Sequence, residues 1–306
     1  GTRSITLTGT PAEVNETLRL PRGVTYSVPD ENFNNNRAGG DVILTVSATD
    51  QGRTGSGLVT TDTETLAITV TPINDLPVLT LPGLQTLNEG PGATRAITGI
   101  QVAGVDYEEL GVADLAVSLA IPAGQGALSV ATGVTGGVTN ITGNGTNAIT
   151  LTGRIAQINA TLAAAAGVTY AVPNGDFNSL NNGGSVILTV STNDQGRTGA
   201  AGGVPVSGVV PIVVNAINDD PVITAPAPTQ AAAIVVNEDQ NVVFSAANNT
   251  LIAVADVDLA ETVNGSMTVT LVANNGTFTL ATTANLGFTA GDGTSDSSMT
   301  FSGSQA

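Results

Sequence analysis

The sequence predicts an all-β protein made of tandem β-sandwich modules, each with one short helix. Three observations lead there. The chain repeats itself: with Gly1 laid on Gly145, the first 77 residues run onto a second copy without a gap. Short β-branched runs alternate with Gly, Asn and Asp clusters, the strand-and-turn signature of sandwiches. Helical spacing of apolar residues appears at one place in each copy.

The repeat sets the boundaries. Ile5-Thr-Leu-Thr-Gly9 falls on Ile149-Thr-Leu-Thr-Gly153, and Gly23-Val-Thr-Tyr26 on Gly167-Val-Thr-Tyr170. Val42-Ile-Leu-Thr-Val46 falls on Val186-Ile-Leu-Thr-Val190, and Ile73-Asn-Asp75 on Ile217-Asn-Asp219. A period of this kind marks an array of similar units. The division expected is residues 1–76 as the C-terminal part of one module, 77–220 as a complete module, and 221–306 as the N-terminal part of a following one. The chain then reads either as a stretch of a longer array or as a protomer completed by its neighbours.

The elements follow in order. Thr10-Pro-Ala-Glu13 predicts a helix start, with a hydroxyl N-cap, Pro at the first position and Glu in the capping-box place. Ile155, Ile158 and Leu162 hold the same helix in the second copy. Strands are expected at Val42–Val46, Leu66–Val70, Ile149–Thr152, Val186–Val190, Ile212–Val214, Met267–Leu271 and Thr277–Leu280. Asn144-Gly145 and Asn275-Gly276 suggest tight hairpins with both residues at positive φ. Pro211 lacks a ladder donor, so its strand should lie at an edge or carry a bulge.

Composition narrows the chemistry. The chain has no Cys, His or Trp, and all eight basic residues are Arg. A Ser-His-Asp triad, a thiolate nucleophile and a lysine Schiff base are therefore excluded. The expectation is a protein that is not an enzyme. Net charge is −17, yet only 11% of residues are charged, so acid is sparse and clustered. Nucleic acid and anionic lipid are repelled, and divalent cations are the natural counter-ions. With 3% aromatics, the core must be Val, Ile, Leu and Ala.

The acid clusters sit at repeat boundaries. The linker Pro72-Ile-Asn-Asp-Leu-Pro77 recurs as Ala216-Ile-Asn-Asp-Asp-Pro221. A Glu follows in each new module, Glu89 and Glu238. Next comes an acidic loop: Asp106 with Glu108 and Glu109, then Asp256-Val-Asp258 with Glu261. Asp50 and Asp194 come late in their modules. A hard cation such as calcium takes six to eight oxygens from carboxylates, Asn side chains and carbonyls.

In these motifs the chain resembles the cadherin-like tandem repeats of large bacterial surface and secreted proteins, including calcium-dependent adhesins. Ile217-Asn-Asp-Asp-Pro-Val222 is similar to their linker. Val235-Val-Asn-Glu-Asp239, Val254-Ala-Asp-Val-Asp258 and Arg154-Ile-Ala-Gln-Ile-Asn-Ala160 are similar to their other hallmarks. The resemblance implies immunoglobulin-like sandwiches strung end to end, with calcium at the junctions. It implies a first site of Asn74, Asp75, Asp106 and Asp194, and a second of Asn218, Asp219, Asp256 and Asp258 with Glu89. The first is poorer in acid, with Gly104 and Leu76 where the second has Asp256 and Asp220. The function implied is an extracellular, non-catalytic structural or adhesive segment forming calcium-stiffened rods or fibres. Its partners would be like modules, in the same or neighbouring chains, and a cell-surface or glycan target. The alternative is an accessory or carbohydrate-binding region of a secreted hydrolase; only Tyr26, Tyr107 and Tyr170 offer tyrosine rings for stacking on sugars.

Overall fold

The computed structural model describes residues 3–50, 52, 57–104, 114–193, 204–226, 233–261 and 265–304. The fold is all-β, with a few short helices. Its centre is a sandwich within residues 77–220. One sheet has six strands in the order β4 (Gln85–Asn88), β13 (Val206–Asn215), β12 (Val186–Asn193), β7 (Leu115–Ala120), β10 (Ala148–Gly153) and β9 (Asn140–Thr142). The other has three, in the order β5 (Thr94–Ile97), β11 (Val168–Ala171) and β8 (Ala127–Val130). A small pair, β3 (Val78–Thr80) and β6 (Gln101–Ala103), completes it.

The period-2 pattern places the core. In β7 and β12 alternate residues are buried, so Leu115, Val117 and Leu119 lie on the same face of the larger sheet as Val186, Leu188 and Val190 and join them in one continuous apolar cluster. Leu128, Val168 and Tyr170 enter it from the smaller sheet. Tyr170 is the only aromatic ring that is fully buried among the described residues. Its hydroxyl donates to the Gln125 carbonyl at 2.8 Å, and burial pushes the phenol up to about 12. Gly126, at φ 115°, lets this loop close: a Cβ there would sit 2.3 Å from the Ala171 oxygen.

Helix α3 (Ile155–Leu162) closes one side through Ile158, Thr161 and Leu162. Gln157 accepts the Arg154 N–H at 3.1 Å, the reciprocal half of a capping box. Asn159 ties the helix to β6, accepting the Val102 N–H at 3.0 Å and donating to the Val102 carbonyl at 2.8 Å.

The flanking regions are built from the same sequences in a different environment. Helix α1 (Pro11–Leu18) has the expected box: Glu13 accepts the Thr10 N–H at 2.7 Å, and the Thr10 hydroxyl accepts the Glu13 N–H at 3.4 Å. Strands β1 (Val42–Thr49) and β2 (Thr61–Ile68) form an antiparallel hairpin from Val42↔Ile68 to Thr49↔Thr61. Yet α1 buries nothing, and Val46 is 53% exposed where its counterpart Val190 is 0%. On the C-terminal side, β14 (Val222–Thr224) pairs with β15 (Ala253–Ala255). Strands β16 (Ser266–Val272), β18 (Ser298–Ser304) and β17 (Gly287–Ala290) form a second small sheet, with Met299 buried.

Four local expectations need correction. Thr277–Leu280 is not a strand; Phe278 makes a single bridge to Asp296. The strand expected at Leu66–Val70 begins earlier, at Thr61, because the hairpin partner extends to Thr49. The Asn-Gly turns place only their glycines, Gly145 and Gly276, at positive φ. Asn144 instead uses its side chain, accepting the Val130 N–H at 2.8 Å and donating to the Val130 carbonyl at 3.1 Å. The expectation for Pro211 is also corrected: β13 lies between β4 and β12, not at an edge, and carries no bulge, because the parallel partner β4 pairs only from Ile212 onward.

Candidate metal centre at the second linker

The end of β4 delivers Glu89 to the C-terminal end of the central sandwich. Its N–H donates to the Asn215 carbonyl at 3.0 Å, continuing the parallel ladder for one more residue. The carboxylate is largely buried. Oε1 accepts the Ile217 N–H of the linker at 2.6 Å, and Oε2 accepts from Asn178 Nδ2 at 2.8 Å.

Asn178 is fully buried and is held by its own loop. Its Oδ1 accepts the N–H groups of Leu180 and Asn181 at 2.9 and 3.0 Å. Ser179 then zips the loop to β13, donating its N–H to the Val214 carbonyl at 2.8 Å and accepting the Val214 N–H at 2.9 Å. The first copy repeats this. Asn34 caps the short helix α2 (Asn35–Ala38), accepting the Arg37 N–H at 3.1 Å, Asn35 donates its N–H to the Val70 carbonyl at 3.0 Å, and Asn35 Oδ1 accepts the Val70 N–H at 2.8 Å.

Residues beyond the linker complete the site. Asp258 opens a 3-10 turn (Asp258–Ala260), and its N–H donates to Asp256 Oδ1 at 3.0 Å. Asp258 Oδ2 accepts the Asp219 N–H at 2.6 Å. Glu261 Oε1 accepts from Asn178 Nδ2 and, at 3.1 Å, from Asn181 Nδ2. Carboxylate oxygens of Glu89, Asp258 and Glu261 lie within 4.8 Å of one another. Partial desolvation raises the Asp219 carboxyl above its ordinary range, and the charges of Asp258, Asp176, Glu89 and Asp256 push it the same way.

The hydrogen-bond donors described for Glu89 and Glu261 are neutral amides, and a hard divalent cation suits such a set of crowded oxygens. Of the residues expected at this junction, the structure brings Glu89 and Asp258 into one cluster. Asp219 and Asp256 lie close enough to interact with it electrostatically. Asn218 turns aside, its amide donating to the Asp219 carbonyl at 3.1 Å. At the first junction, Asn74 and Asp75 lie in the irregular linker before β3, and Asp106 and Asp194 lie outside the described residues.

Sequence reasoning missed Asn178, Asn181 and Asp176, and placed Glu261 in the loop without assigning it to the site. The available signal was the repeat itself: Phe33-Asn34 falls on Phe177-Asn178, each followed by a Gly pair, Gly39-Gly40 and Gly183-Gly184. Replacing Asn178 by Ala should cost about 1–3 kcal/mol, because the buried Glu89 carboxylate loses one of its two described donors. Urea unfolding of the central module measures this.

Comparison with known proteins gives only distant likenesses. No protein-family model matches the chain, and no curated protein matches it. Solved structures with some similarity are a protocadherin gamma B4 extracellular domain (15% identity, TM-score 0.30), protocadherin gamma B2 extracellular cadherin domains 3–6 (15%, 0.32) and a protocadherin gamma B7 cis-dimer (17%, 0.30). The alignments cover 86%, 88% and 92% of this chain, but only 34%, 52% and 54% of those chains. At such scores the description of the fold rests on the sheets and registers above. No described helix is long and apolar enough to cross a membrane.

Proposed function

We propose that this chain is an extracellular structural or adhesive repeat segment without catalytic activity, stiffened by calcium between modules. The modules are residues 1–76, 77–220 and 221–306, with the first and last each a part of a sandwich. The observation that carries this reading is the convergence of Glu89, from before the linker, with Asp258 and Glu261, from after it. Three carboxylates so close repel one another, and a divalent cation turns that repulsion into a bond between modules. Asp219, Asp256 and Asp176 stand beside the cluster and add oxygen at its rim. Asn74, Asp75, Asp106 and Asp194 form the corresponding, weaker site at the first linker. Like modules are the partners, since a repeat that extends a rod works by its neighbours.

Calorimetric titration of the full chain with calcium chloride tests this. The expected result is one tighter site that Asp258→Ala abolishes, with the fold of the central sandwich unchanged by circular dichroism. Absence of heat at millimolar calcium, or a tight site untouched by Asp258→Ala, would overturn the reading.

A further inference from the structure

We infer that Asn174-Gly175 is a site of spontaneous covalent modification, at which the side-chain amide is lost as ammonia and a carboxylate takes its place. The nucleophile in this reaction is the backbone nitrogen of the following residue. Glycine hinders that nitrogen least, because it sets no side chain beside it. Three Asn-Gly pairs lie among the described residues of 77–220: Asn144-Gly145, Asn174-Gly175 and Asn182-Gly183. The fold treats them differently. The Gly145 N–H donates to the Leu128 carbonyl at 2.9 Å, and the Asn144 amide is tied to Val130 through both its oxygen and its nitrogen. The Gly183 N–H donates to the Leu180 carbonyl at 3.3 Å, and Asn182 Nδ2 donates to the Gly184 carbonyl at 3.1 Å. Among the described residues the Gly175 N–H has no acceptor, and neither has Asn174 Nδ2. Asn174 is also exposed, so water reaches it.

The turn also prepares the electrophile. Asn174 Oδ1 accepts the Asp176 N–H at 3.0 Å, and negative charge gathers on this oxygen when Cγ is attacked. Asp176 is itself held, since its carbonyl accepts from Asn181 Nδ2 at 2.6 Å. The Gly175 nitrogen gives up its proton and bonds to Asn174 Cγ. The Cγ–Nδ2 bond then breaks, ammonia leaves, and a cyclic imide remains. Water opens that ring. Cleavage of the new Cγ–N bond gives aspartate; cleavage at the main-chain carbonyl gives isoaspartate, whose main chain is one methylene longer. One water is consumed and one ammonia released, with no oxidant or reductant. The first copy shows that the aspartate product fits. Asp30 stands where the repeat places Asn174, and its Oδ1 accepts the Asn32 N–H at 3.0 Å in the same turn. The new carboxylate stands two residues before Asp176, at the start of the loop that carries Asn178. None of this depends on a bound cation.

Ageing the full chain in mildly alkaline buffer made with heavy-oxygen water tests this. Peptide mapping by mass spectrometry reads, at each site, loss of the amide together with uptake of the heavy oxygen. Asn174 should react roughly tenfold or more faster than Asn144 and Asn182, because a nucleophile held away from its target loses at least that much rate. In denaturing urea the three rates should converge, since the difference belongs to the fold. Gly175→Ala should slow the reaction at Asn174 severalfold and leave the other two sites unchanged. The fold accepts that variant: its Cβ would stand 3.4 Å from the Pro91 ring, an ordinary contact, and φ there lies outside the left-handed region. Equal rates at the three sites in the folded chain, a difference that persists in urea, or an Asn174 rate unchanged by Gly175→Ala would overturn the inference.

Discussion

Calcium at a hundredfold excess over its dissociation constant should stabilise the protein by about 2.7 kcal/mol, through binding to the folded state alone. Glu89→Gln should remove most of that gain. Glu89 is the residue to test because it is largely buried and joins three parts: the end of β4, the Asn178 loop and the linker at Ile217. Glutamine preserves size and removes the charge a cation needs. Thermal melts with calcium and with chelator read the effect, and an unchanged melting temperature on removal of all divalent ions would sink it. The pH dependence has a definite sign. The folded-state pKa of Asp219 is raised above its ordinary 3.8. Its contribution is therefore present at low pH and is lost as pH rises through the raised value. The difference between wild type and Asp219→Asn isolates this contribution in chelator, and calcium should shrink it.

The second large effect is a contrast between twin residues. Leu162→Ala should cost about 2–5 kcal/mol, because Leu162 is fully enclosed and a cavity remains. Its repeat partner Leu18 is 44% exposed, and Leu18→Ala should change stability by no more than about 0.5 kcal/mol in dilute solution. Denaturant unfolding followed at several wavelengths measures both. The central module should give a separate, later transition, so a single two-state fit is inappropriate. Equal costs for the two leucines would mean that the outer halves are as well packed as the centre.

Much of the fold was legible because its signals are local. The Thr10 capping box, the period-2 strands and the α3 face each occupy a few consecutive residues. Val46 and Val190 show where locality stops. They stand in the same five-residue run, yet one is bared and the other sealed, because only β12 has β7 beside it. The junction divides in the same way. Glu89 and Asp258 stand out as acids at repeat boundaries, and the family resemblance implied that they share one junction. Asn178 is an uncharged residue in an Asn-rich chain, and its role depends on burial beneath Glu89 and contact with Glu261, which only tertiary structure provides.

The parallel pairing of β4 with β13 bears on how the central module meets tension. Gln85–Asn88 lies alongside Ile212–Asn215, so the second strand of the module and the strand leaving it run side by side in the same direction, with the short β3–β6 pair upstream of them. Pulling the linkers apart drags these strands past each other along their length. The evenly spaced hydrogen bonds of a parallel ladder are then loaded together, not opened one at a time as in an unzipping hairpin. Glu89 extends this clamp by one residue, through its N–H to Asn215 and its carboxylate to Ile217. The hydrogen-bonded clamp of the module therefore ends at the acidic cluster, and Glu89 belongs to both.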